Sequence, residues 1–155
     1  MLCYHHDSEL TRIMHLSAKT EYACIAVLEL AIRHGSGKPV RIREIADSNG
    51  IPSRFLVQIL LQLKSAGIVG STRGAAGGYQ LMKEPSQVTL AEVMVASEGQ
   101  ISDPVSSVDQ QTPTTRSLFA AWNKLAATER RLLESISFAQ LVDRATNQSD
   151  NMYYI

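Results

Sequence analysis

Residues 51–82 read IPSRFLVQILLQLKSAGIVGSTRGAAGGYQLM. Leu56, Ile59, Leu60 and Leu63 recur at the three-and-four spacing of one buried helical face, with Phe55 at its edge. Pro52 suits a first helical turn, where its missing N–H would be unpaired anyway. Gly67 follows the last periodic residues and suits the left-handed position just past a helix. The β-branched pair Ile68-Val69 starts a strand, Arg73-Gly74-Ala75-Ala76-Gly77-Gly78-Tyr79 turns the chain, and Gln80-Leu81-Met82 returns it. A helix followed directly by a basic-tipped hairpin is the working end of a winged helix. The helix fits a DNA major groove, and the hairpin tip reaches phosphate or the minor groove.

The chain has 155 residues, enough for one domain with a real core and an appended helix. The formal net charge is zero, which argues against an indiscriminate polycation. The charge is unevenly spread, however. Residues 1–83 carry ten Lys/Arg against six Asp/Glu, a net +4, and residues 84–155 carry five against nine, a net −4. A basic front half and an acidic back half suit a nucleic-acid reader whose other half holds a partner. Two cysteines, Cys3 and Cys24, make no disulfide framework. Residues 1–14 show no secretory signal, and no apolar run approaches the ~20 residues of a membrane span. A reduced, cytoplasmic setting is expected.

Residues 1–13 read as an N-terminal extension, and the adjacent His5-His6 lacks the one-turn spacing of a helical metal pair. The winged domain is expected over 14–98. Lys19–Arg33 forms a helix with too many apolar residues for one narrow stripe, so it is buried on most sides or covered by a second subunit. Cys24 within it suits an inert buried thiol better than a reactive one. Pro39-Val40 suits a short strand, and Arg41–Asn49 a second helix with Ile42, Ile45 and Ala46 inward. Asn49-Gly50 then turns the chain into the third helix, a helix-turn-helix pattern. The outward face of that third helix carries Ser53, Arg54, Val57 and Gln58. Arginine forks onto guanine, glutamine onto adenine, and a valine methyl meets a thymine methyl. Leu61 falls on the same side without an evident role.

Thr89 caps a fourth helix over Leu90–Ala96, with Glu92 in its dipole-favoured first turn. Residues 99–113 form a polar loop, long enough to be functional or mobile. The longest helix follows, Thr115–Ser135. Leu118, Trp122, Leu125, Leu132 and Ile136 fall along one of its faces, and Trp122 is a natural anchor for a partner subunit. A dimerisation segment is therefore expected over 114–143, ending in a short turn at Phe138–Val142. Residues 144–155 read as a frayed tail.

The motifs L-S-A-K-T-E-Y-A at 16–23, G-I-P-S-R-F-L at 50–56, R-G-A-A-G-G-Y at 73–79 and V-T-L-A-E-V at 88–93 resemble those of the Rrf2 family of bacterial transcription regulators. The terminal F-A-Q-L-V at 138–142 resembles that family too, so the likeness spans nearly the whole chain. It implies a homodimer whose long helix crosses between subunits. DNA contacts are then implied for Tyr22, for Ser53, Arg54, Phe55 and Gln58 of the recognition helix, and for Arg73, Gly77, Gly78 and Tyr79 of the wing. The same residues admit plainer roles. Tyr22 and Phe55 can pack, Tyr79 can pin the wing, and the glycines can supply turns.

Cluster-bearing members of the family hold iron–sulfur on three cysteines in the loop before the long helix. Here residues 99–116 contain neither Cys nor His, so no such cofactor is expected. A cluster-free branch, governed by a partner enzyme, is the closer likeness. The expected protein is mainly α with a small β-wing. It binds double-stranded DNA as a homodimer on a palindromic operator, with Arg73 entering the minor groove. It answers to a metabolic enzyme or a small-molecule effector, has no membrane role and binds no metal. The competing reading is a winged-helix interaction module that docks to a metabolic enzyme. No nucleophile–base pair or phosphate loop supports an enzyme.

Overall fold

The computed structural model describes residues 16–99 and 102–152. Helix α1 spans Ala18–Ile32, α2 Ile42–Asn49 and α3 Ser53–Ser65. Strands β1 (Val69–Thr72) and β2 (Gly78–Leu81) form the wing, and α4 (Leu90–Glu98), α5 (Pro113–Ser135) and α6 (Phe138–Met152) complete the chain. The winged-helix expectation is borne out. His5-His6, Cys3 and the rest of the N-terminal extension lie outside the described residues. No described helix is long and apolar enough to cross a membrane.

Helix α1 is the hub. It packs against α2, α3, α4, α6 and β2, which explains its surplus of apolar residues without a second subunit. Ala23, Ala26, Val27 and Leu30 meet Leu56, Ile59, Leu60 and Leu63 of α3 in one buried cluster. Ile45 of α2, Ile68 and Val69 of β1 and its approach, and Val93 of α4 close that cluster. Burying so many branched side chains at ~25 cal/mol per Å2 of apolar surface is what holds the helices together.

Helix ends follow local chemistry. Ser17 caps α1 by accepting from the Thr20 N–H at 3.1 Å, and Thr89 caps α4 by accepting from the Glu92 N–H at 3.2 Å. Pro52 precedes α3 as its cap residue rather than entering the first turn, and its carbonyl accepts from the Leu56 N–H at 3.3 Å. Gly67 closes α3 in the left-handed region at φ 78°, donating to the Lys64 carbonyl at 3.0 Å. Pro39-Val40 forms no strand of its own. Val40 makes a single antiparallel bridge to Tyr79 of β2.

The C-terminal part differs most from expectation. Helix α5 starts at Pro113, two residues early, behind a reciprocal cap between Thr112 and Thr115. After Ser135 the chain turns back onto the domain. Leu90 N–H donates to the Ile136 carbonyl at 3.0 Å and Phe138 N–H to the Val88 carbonyl at 2.9 Å. Phe138 is fully buried in the core, and Leu141 and Val142 pack against it. Helix α6 therefore runs through to Met152 rather than ending in a short turn at Val142, and residues 144–152 are helical rather than frayed. Phe138, Leu141, Val142 and Ala145 share one face, and that packed first half carries a polar second half of weak intrinsic propensity.

Candidate nucleic-acid interface

The amphipathicity of α3 sets the candidate interface. Its four apolar core residues fix one face inward, so Ser53, Arg54, Val57, Gln58 and Leu61 are left in solvent. Phe55 stands 47% exposed at the first turn, and the Arg54 guanidinium lies over its ring, 4.8 Å from the centroid. That stacking limits the rotamers of a long cation before it meets any partner. Leu61 lies with Gln58, Gln62, Ser65, Ala66 and Ala96 along a shallow groove between α3 and α4.

The wing stands beside α3 and is fastened to the body at several points. Tyr79 and Val40 exchange both backbone hydrogen bonds, at 2.8 and 2.9 Å. The Gln80 side-chain amide donates to the Gly37 carbonyl at 2.8 Å. Lys64 of α3 donates to the Ser71 hydroxyl at 2.7 Å. Arg41, just ahead of α2, donates to the Ala75 carbonyl in the turn of the wing. Arg73 is exposed where that turn begins.

The two wing glycines have backbone reasons. A Cβ on Gly78 would sit 2.5 Å from the Val40 carbonyl oxygen, and one on Gly77 would sit 2.2 Å from that of Thr72. Gly78 thus lets the wing lie against the α1–α2 connection, and Gly77 is buried in the turn. Tyr79 is half-buried and pairs through its backbone, and Tyr22 is half-buried against the core on α1. Ser53, Arg54, Phe55, Gln58 and Arg73 are the residues of the expected set with exposed side chains.

Sequence reading missed the tethers Arg41, Lys64 and Gln80. They join points 34, 7 and 43 residues apart, and no local pattern announces such pairs. It also missed a polar knot where α1 begins. There Glu98 of α4 accepts from the Ser17 and Thr20 hydroxyls, the latter at 2.9 Å, and Ser97 lies 3.3 Å from Thr20.

The apolar stripe on α5 is exposed along the chain: Leu118, Leu125 and Leu132 are 48%, 57% and 59% exposed. Trp122 is half-buried and meets Phe119 edge to face at 5.2 Å. Ile136 does not belong to the helical stripe, because the helix has ended and its carbonyl is engaged by Leu90. The loop ahead of α5 is held by an Asp103–Arg130 ion pair at 2.8 Å. Burial raises the Cys24 thiol to about 11, so it stays protonated at neutral pH.

CymR of Bacillus subtilis (strain 168), an HTH-type transcriptional regulator, is 33% identical over 143 residues, covering 92% of this chain and all of that protein. IscR of Photorhabdus laumondii, another, is 32% identical over 143 residues, covering 84% and 80%. The solved structure of CymR, the global cysteine regulator of B. subtilis, superposes with a TM-score of 0.75 over 85% of this chain and 98% of that one, at 32% identity. The T. potens IscR structure superposes at 0.70, with 30% identity, over 85% and 88%. The Rrf2 model, described as an iron-dependent transcriptional regulator, matches residues 16–144. This chain is a helix-turn-helix transcription regulator and belongs to the Rrf2 family.

Proposed function

We propose that this regulator acts as a homodimer on a two-fold-related operator, with half-sites about one helical turn, ~10 bp, apart. One observation carries the reading: a helix fixed inward by four buried residues presents Ser53, Arg54 and Gln58 beside a tethered hairpin that begins its turn with Arg73. The helix reads major-groove base edges, and Arg73 enters the adjacent minor groove or meets its phosphates. The exposed leucines of α5 supply the second half of the account. A row of three aliphatic side chains in water is costly, and a second α5 is the matching surface. The protein works where the chromosome is, in the cytoplasm.

The mechanism we favour uses no iron–sulfur cluster. Cluster irons take thiolate or imidazole ligands, and residues 99–116 offer neither. Cys24, on α1, is turned towards the core and protonated. Among the described residues no three His, Cys, Asp or Glu side chains gather as a metal set. The donors of that loop do not fit the group, so sensing is assigned to the surface. We place contact with a controlling enzyme or an effector on the loop before α5, where Val105 and Val108 are 77% and 50% exposed.

The test is a titration of DNA from the protein's own promoter with wild type and Arg73→Ala across a salt series. Removing one phosphate contact lowers the slope of log affinity on log salt by about one. Equal affinities and slopes would remove the wing from the mechanism.

A further inference from the structure

Of the four wing tethers, three act on its strands and one acts on its tip. Val40, Gln80 and Lys64 engage the strands. The tip, Gly74-Ala75-Ala76-Gly77, has no side chain large enough to pack, and one internal bond, Gly77 N–H to the Gly74 carbonyl at 3.0 Å, closes it. A two-stranded ribbon with such a tip is marginal in water. The Arg41 guanidinium reaches that tip and donates to the Ala75 carbonyl.

Arg41 is well placed to transmit order. Its backbone is extended at φ −75° and ψ 145°, and its carbonyl begins α2 by accepting from Glu44 N–H at 3.1 Å and Ile45 N–H at 3.3 Å. Its side chain caps nothing on α2. Its neighbour Val40 is the residue bridged to Tyr79. One dipeptide thus grips the wing at its base through backbone and at its tip through a charged donor. Hydrogen bonds from a charged donor exceed neutral ones, and the planar fork loses little entropy in making them.

We propose that Arg41 is a positioning residue for DNA binding. It holds the turn that starts at Arg73 in the geometry that meets the duplex, and ties that turn to the start of α2. The proposal rests on the DNA-binding reading above. Arg41 acts through Arg73 and not as an independent phosphate ligand, because the Ala75 carbonyl orients its fork along the wing.

Two measurements on the full-length protein test it. In free protein, Arg41→Ala speeds amide exchange at Gly77, whose N–H closes the tip, by roughly fivefold and leaves the amides of α3 unchanged. Arg41→Lys, which keeps the charge and a donor, retains part of the protection. Unchanged exchange at the tip, or equal acceleration across α2 and α3, would overturn the brace. With promoter DNA, Arg41→Ala weakens binding roughly fivefold in wild type and hardly at all in an Arg73→Ala background. Equal losses in both backgrounds would overturn the proposal by showing that Arg41 binds the duplex itself. If wild type does not select its promoter, the functional reading fails, while the exchange result still decides the brace.

Discussion

Helices α3 and α5 both leave apolar side chains in water, and they do so differently. On α3 the exposed Phe55, Val57 and Leu61 are interleaved with Ser53, Arg54 and Gln58. On α5, Leu118, Leu125 and Leu132 repeat every seven residues and form one stripe. A mixed face suits a partner that is polar at its edges and apolar at a few methyls, which describes a DNA groove. A heptad-spaced stripe suits another helix. The two faces suit two different partners, and each match can be broken separately.

The largest effect is expected on α5. Leu125→Glu puts a charge in the stripe and should convert dimers to monomers in sedimentation equilibrium. Operator affinity should fall at least about a hundredfold, because a half-site bound alone loses the second module's contribution. A dimer that survives would separate the stripe from assembly. Next comes Phe138→Ala, which removes the fully buried ring that joins α6 to the core. A loss of about 3–5 kcal/mol in chemical denaturation is expected, with both faces lost together.

Smaller effects belong to α3 and the wing. Gly78→Ala drives a methyl against the Val40 carbonyl, so DNA affinity should fall about tenfold while the helical circular dichroism is kept. Wild-type affinity in this variant would show that the wing need not lie against α1–α2. The smallest effect concerns Cys24. Its raised value means the folded state keeps a proton that the unfolded chain releases near 9. Stability is therefore flat at neutral pH and declines as pH rises from about 9 towards 11. In a Cys3→Ser background, alkylation of folded protein at pH 7.5 should be far slower than in denaturant; equal rates would contradict the burial.

Much of this molecule was legible from its residues. Four leucine and isoleucine positions gave α3 its inward face, Gly67 its end, and Thr89 the start of α4, because each is decided within a few residues. What escaped is what depends on distant partners. Polar residues 146–150 carry no sign of helix, and they are helical because Phe138 anchors the first turn of α6. Ile136 fits the stripe by spacing, and the backbone bond to Leu90 takes it out of the helix. The exposed face of α3 was legible from its spacing. The wing's fastening was not, since Arg41 and Ala75 meet only once the fold has formed.

Methylation interference on the protein's own promoter decides whether α3 reads base edges. Methylating guanine N7 blocks a bidentate arginine in the major groove. Two clusters of interfering guanines, ~10 bp apart centre to centre, are expected, with loss of interference at the matching guanines in Arg54→Ala. Interference that is absent, or identical in wild type and Arg54→Ala, would contradict base reading by α3.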